Sequence, residues 1–237
     1  MTIECVSRTD VGLRRKVNED SMLVLTDRGL WAVADGMGGH DAGDVASAKV
    51  VEALGALPQA ADLDALVANA VEALERVNRQ LIALSASGGV ERRMGTTVVG
   101  LAIADGEFRC FWAGDSRAYR LRDGQIEQLS RDHSLVQDLV DAGMLEAEGM
   151  QDHPSANLIT RAVGVAEDLR IDTVSGEVKP GDQYLLASDG LTRMMEDDEL
   201  AALLSSRPAQ EATDRMIETV LERGAPDNVS IIVVTSV

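Results

Sequence analysis

The 237-residue sequence predicts an α+β fold in which two packed, mainly antiparallel sheets carry helices on their outer faces. Three observations lead there. Two Asp-Gly pairs, Asp105-Gly106 and Asp123-Gly124, each sit between strand-like runs, and Asp-Gly suits the positive-φ positions of a tight hairpin. Strand-like segments occur in both halves of the chain, with helix pairs between them. Two long amphipathic stripes need a partner surface, and strands must supply it. One sheet would be long for so many strands, so two packed sheets fit better than a doubly wound parallel one.

In chain order, strands are predicted near 3–8, 21–26 and 30–35, from β-branched and apolar residues bounded by turn formers. Two helices follow. Ala46, Val50, Ala53, Leu54 and Leu57 share one face, and Leu63, Leu66, Val67, Ala70, Val71, Leu74, Val77, Leu81 and Leu84 make a longer stripe. The stretch "GTTVVGLAIADGEFRCFWAGDSRAYRLRDGQIEQLS" then supplies consecutive antiparallel strands. Residues 134–149 read as helical, and "GMQDHPSANLITRAVG" as irregular. Strands return near 170–176, 183–188 and 229–235. A last helix covers about 208–223, with Pro208 in its first turn and Gly224 at its end.

Composition narrows the function. Lys plus Arg number 22 against 40 Asp plus Glu, a formal charge of −18. That balance argues against nucleic-acid or anionic-membrane binding, which need positive surface. It suits a protein that gathers carboxylates around cations. The two cysteines, Cys5 and Cys110, read as reduced core residues, and without a CxxC a thiolate zinc site is not expected. The N-terminus "MTIECVSRTD" lacks a signal-peptide core, and no apolar run has the length of a membrane span. The expectation is a soluble, cytoplasmic monomer, folded as one domain over 1–237.

Five strands carry an aspartate at one end. "LWAVADG" breaks at Asp35-Gly36, "QYLLASDG" at Asp189-Gly190 and "FRCFWAGD" at Asp115. Asp227 precedes "NVSIIVV", and Glu19-Asp20 precede "SMLVL". Each alone reads as an ordinary turn residue, solvated on a sheet rim. Their apolar flanks favour another reading, because carboxylates at a core edge are costly unless paired or metal-bound. No Lys or Arg neighbour matches Asp35, Asp189 or Asp227 along the sequence. If these ends converge, their repulsion calls for a hard divalent cation, and all-oxygen ligation suits Mg²⁺ or Mn²⁺ rather than zinc. Spacing alone does not show that they meet.

The segments "TDVGLRRKVNED", "VADGMGGH", "GTTVV", "AGDSRAY", "LSRDHSLV", "HPSANLITRAVG", "LLASDGL" and "APDNVSIIVV" run in order from about Ser7 to Val234. Together they resemble the metal-dependent serine/threonine protein phosphatases of type 2C in their compact bacterial form. The resemblance implies a β-sandwich flanked by helix pairs, with two Mg²⁺ or Mn²⁺ ions at one end. It implies that Asp35 bridges both ions, that the Gly36 carbonyl ligates the second, and that Asp189 and Asp227 complete the first. Asp20, and Glu19 beside it, match residues that mostly hold metal-bound water. Asp115 matches a ligand of a third, weaker ion, shared with Asp189. Arg15 matches the phosphate-binding arginine, with Arg14 as competitor. Met37 stands where many eukaryotic relatives carry a histidine. His40 and His153 are then the candidate proton donors, while His133 reads as a helix-start or packing residue. The segment near 145–160 corresponds to a variable flap.

Three functions follow from these residues. The first, which the resemblance implies, is hydrolysis of phosphoserine and phosphothreonine in proteins, with a serine/threonine kinase that bacterial relatives commonly oppose, and its targets, as the expected partners. The second is a catalytically silent binding or scaffold domain, which would be expected to lose some of the aspartates or the arginine. The third is a two-metal phosphoesterase for small phosphate esters.

Overall fold

The structure, a computed structural model, describes residues 2–38, 42–87 and 94–237. In chain order its elements are β1 (Ile3–Asp10), β2 (Asp20–Leu25), β3 (Leu30–Gly38), α1 (Gly43–Gly55), α2 (Leu63–Ser87), β4 (Met94–Thr96), β5 (Val98–Ala104), β6 (Glu107–Ala113), β7 (Arg117–Arg122) and β8 (Gln125–Gln128). There follow α3 (Leu135–Asp141), β9 (Asp172–Glu177), β10 (Gln183–Ala187), α4 (Asp189–Thr192), α5 (Asp197–Ser206), α6 (Ala209–Glu222) and β11 (Val229–Ser236). One sheet has the order β1-β11-β10-β7-β8 and the other β2-β3-β5-β6-β9, with β4 paired to β3. Every pairing between these strands is antiparallel.

The apolar runs are continuous because both faces of the central strands are buried. On β3, Trp31 and Val33 point between the sheets, where they meet Leu101, Tyr184 and Ile232. Leu30, Ala32 and Ala34 point the other way, under α1 and α2. On β11, Ile232 and Val234 face the inter-sheet core, while Val229, Ile231 and Val233 meet α4, α5 and α6. Four layers result, helices–sheet–sheet–helices, as expected. Cys110 is buried in the inter-sheet layer and Cys5 packs against it. Among the described residues, no helix is long and apolar enough to cross a membrane.

The helices differ from expectation in two places. The helix predicted over 134–149 stops at Asp141, because Gly143 takes a φ of +67°. Its N–H returns to the Val140 carbonyl and that of Met144 to Leu139, which closes the helix end. The chain then runs without long regular structure to β9. Two unexpected helices, α4 and α5, follow β10. The second is opened by a capping box in which Glu196 and Glu199 satisfy each other's backbone N–H groups.

Candidate metal centre

One end of the sandwich collects the acidic strand ends. Asp20 opens β2 directly across from Asp35 on β3. Strand β10 pairs with both β7 and β11, aligning Ala187 with Arg117 and with Ile231. Asp189, Asp115 and Asp227 lie within a few residues of those positions, so the ends of both sheets deliver carboxylates to one rim.

Short polar side chains fix the backbone there. The Asp35 carbonyl accepts from the Thr97 N–H (2.8 Å) and the Thr96 hydroxyl (2.9 Å), while the Asp35 N–H donates to the Thr97 hydroxyl (3.0 Å). That hydroxyl also lies 2.7 Å from the hydroxyl of Ser116, next to Asp115. Asn228 accepts from the Glu19 N–H (2.8 Å) and donates to the Val11 (2.9 Å) and Val17 (3.0 Å) carbonyls. It thereby clamps the loop that carries Arg15 beside Asp227. Ser188 donates to Oδ2 of Asp20 (2.8 Å) and accepts from the Ser230 N–H (2.9 Å). Gly36 and Gly190 are needed for close approach of neighbouring backbone, not for a turn: neither has positive φ.

The cluster is electrostatically frustrated. Like charges opposite each other on paired strands repel, and burial adds its own cost. Burial pushes the Asp20 carboxyl up to about 6, with Asp227 and Glu19 adding to the rise. Burial, then Asp189, Asp20 and Asp115, hold Asp35 well above the carboxylate range. Asp115 is pushed up to about 7 by burial and Asp189, against the pull of Arg193. Burial also raises Asp189, against the pull of Arg193 and with Asp227 and Asp20 adding to the rise. Oδ1 of Asp20 is buried without any hydrogen-bond partner.

These observations fit a hard divalent cation. The donors are all oxygen, they repel one another, and one buried oxygen is unsatisfied. Among the described residues, no three His, Cys, Asp or Glu side chains close on a single point as a finished ligand set. Guanidinium groups take up part of the negative charge instead. Arg15 meets Asp227 at 2.7 Å, and Arg193 meets Asp189 at 2.9 Å and Asp115 at 3.1 Å.

Those pairs correct one expectation: Asp189 and Asp227 do have basic partners. Arg193 was hidden because Asp189-Gly190 reads as a turn. Once Asp189 opens a helix, Arg193 is its i+4 neighbour, and that spacing is the signal that could have found it. Both candidate arginines are exposed, and Arg15 is the one that contacts the site, through Asp227. His133 is a buried residue just ahead of the cap of α3, stacked on Trp112, as its packing role requires. It accepts the Gly114 N–H at Nδ1 (3.1 Å) and faces Asp172 with Nε2 (3.1 Å). His153 accepts the Ser155 N–H within the 145–160 segment. His40 lies outside the described residues.

Comparison with known proteins places the chain in a family. A family model described as protein phosphatase 2C matches residues 14–230. The serine/threonine protein phosphatase PstP of Mycobacterium tuberculosis is 36% identical over 98% of this chain. The chain spans only 45% of PstP's length. A crystal structure of the PstP catalytic domain in complex with two manganese ions has a TM-score of 0.88 at 35% identity, covering 98% of this chain and 97% of that one. The serine/threonine phosphatase stp of Listeria monocytogenes serotype 4b is 35% identical over 96% of this chain and 93% of its own length. PppA, described as a key regulatory component of T6SS in Pseudomonas aeruginosa, has a TM-score of 0.92 at 43% identity, covering 100% of this chain and 99% of that one. With the family model matched over residues 14–230 and a relative 35% identical over nearly the whole length of both chains, the chain belongs to the protein phosphatase 2C family.

Proposed function

We propose that this chain is a metal-dependent protein phosphatase that hydrolyses phosphoserine and phosphothreonine. The observation that carries the reading is the gathering of Asp20, Asp35, Asp115 and Asp189, all held above the ordinary carboxylate range, at one rim of the sandwich. Alone, these groups repel a phosphate dianion, so a phosphatase built on them needs added cations. The two manganese ions of the PstP structure support the same reading. Two Mn²⁺ or Mg²⁺ ions, when bound, neutralise the carboxylates and bring the pKa of water near neutrality.

Asp35, the Gly36 carbonyl, Asp189 and Asp227 would hold those two ions, with Asp20 acting through water and Asp115 with Asp189 holding a weaker third. Arg15 would leave Asp227 to grip two phosphoryl oxygens, fixing the ester for in-line attack. Because the ions would make water itself nucleophilic, no cysteine or serine nucleophile is needed, and hydrolysis would be direct, without a phosphoenzyme. Met37 cannot protonate the leaving alkoxide, so the candidate acids are His40, His153 and a metal-bound water. Residues 145–160 would act as a flap that tunes substrate choice. The partners are phosphorylated proteins, among them a serine/threonine kinase and its targets, met by one monomeric domain.

Hydrolysis of a phosphothreonine peptide and of p-nitrophenyl phosphate, with Mn²⁺ or with chelator, tests this. Peptide turnover should vanish with chelator and fall at least a hundredfold in Asp189→Ala. Turnover that persists without metal overturns the proposal. Cleavage of the small ester alone favours a small-molecule phosphoesterase, and no turnover by the folded chain favours a scaffold.

A further inference from the structure

Arg193 stands where three parts of the site meet. Its Nη2 lies 3.1 Å from Oδ2 of Asp115 and 2.9 Å from Oδ2 of Asp189. Its Nη1 donates to Oδ1 of Asn157, in the 145–160 segment. All four residues line one cleft of about 170 Å³. A guanidinium keeps its proton at any working pH, so it gives up these oxygens only by moving. Asp115 and Asp189 are also the two carboxylates that the phosphatase reading assigns to the third, weaker ion. A guanidinium nitrogen bridging both oxygens and a dication on the same oxygens exclude each other by charge and by volume.

We infer that Arg193 is a built-in counter-ion that competes with the third divalent ion for Asp115 and Asp189 and, through Asn157, ties that competition to the docking of the 145–160 segment. The inference rests on the phosphatase reading of the two aspartates. With Arg193 seated, the pair is neutralised by the chain itself and the segment is anchored beside it. When a third ion binds, Arg193 is expelled and the Asn157 anchor goes with it. Coupling of this kind is reciprocal, so whatever loosens the anchor favours the ion to the same extent.

Mn²⁺ binding to the full chain, read from the paramagnetic resonance of free Mn²⁺, counts ions and affinities without any turnover. The wild type should bind two ions and a weak third, and Arg193→Gln should tighten that third site about tenfold. Arg193→Lys keeps the charge without the planar fork and should fall between them. Asn157→Ala should tighten it as well, by reciprocity, and covers the case in which Arg193→Gln does not fold. Hydrogen exchange in residues 145–160 should quicken in the wild type as Mn²⁺ passes the third-ion range, and be quick throughout in Arg193→Gln. A third-ion affinity that ignores both substitutions, or segment exchange that ignores Mn²⁺, overturns the inference alone. A wild-type chain that binds no Mn²⁺ overturns the phosphatase reading beneath it.

Discussion

A methyl group added at Gly36 would lie 2.0 Å from the Gly43 carbonyl oxygen, and one at Gly190 1.8 Å from that of Asn228. Backbone cannot yield as a side-chain tip can, so Gly36→Ala should cost about 3 kcal/mol, the upper end for overpacking. The Asp-Gly pairs at 105–106 and 123–124 meet a different demand. Both residues of each have positive φ, and nothing lies near either glycine. Gly106→Ala should therefore cost only about 1 kcal/mol, for backbone strain, and urea midpoints of the two variants would separate the cases. His133 offers a second residue-scale test. Burial, then the nearby Arg161 charge, keep its imidazole below the usual histidine range despite the bond to Asp172. The folded state thus binds the proton less readily than the unfolded chain. Stability from the neutral ring is complete above the unfolded pKa of about 6.5 and is lost as pH falls through the lower folded value. From pH 7 to 5 the wild type should lose more stability than His133→Gln does, in parallel denaturation series. Equal losses would mean that the imidazole binds its proton as readily in the folded state as in the unfolded chain.

Strand β11 shows what two-sided burial means for an element. Ile231 faces the helices and Ile232 the inter-sheet core, and both are fully buried. Truncation of either to alanine should cost about 3–4 kcal/mol; a strand with one wet face would show that cost at one position and almost none at the other. Such strands were legible because unbroken Val and Ile runs fit only a sheet covered on both sides. The hairpins were legible because Asp-Gly states its own geometry. Helix ends were less so. The Leu145 side of α3 continues the apolar spacing, yet a positive φ at Gly143 ends the helix first. The helix α4 was lost because its opening Asp-Gly resembles a turn, and Arg193 was lost with it. The capping residues Glu196 and Glu199, three apart, were a signal for α5 that went unread. At the site, the identity of each acidic strand end was visible, but convergence was not. That is set by pairings such as Asp20 with Asp35 and Ala187 with Ile231, which link positions far apart in the sequence.

The charge of −18 is not spread evenly in its consequences. Most carboxylates are solvated and screened within about 10 Å in ordinary salt, while those at the metal rim are sunk among their own kind. The folded chain therefore carries a local penalty that the unfolded chain lacks, and divalent cations should remove it. At a free Mn²⁺ concentration a hundredfold above its Kd, binding adds about 2.7 kcal/mol, which for a domain of this size is a rise of about 5–10 °C in Tm. Asp35→Asn should respond with opposite signs in the two states. Asp35 is held far above its unfolded pKa by burial and by Asp189, Asp20 and Asp115, so near neutral pH it opposes folding while no cation is present. Its amide, uncharged in both states, should raise Tm in chelator by about 2–4 °C, corresponding to about 1 kcal/mol. With Mn²⁺ the same variant should lose most of the metal-induced rise, because the carboxylate that on this proposal would hold the ions has become a weak neutral donor. Thermal melts of both proteins, each with chelator and with Mn²⁺, should thus cross: the variant is the more stable without metal and the less stable with it. If the variant were less stable under both conditions and kept its full response to Mn²⁺, Asp35 would be a structural residue and the ions would lie elsewhere.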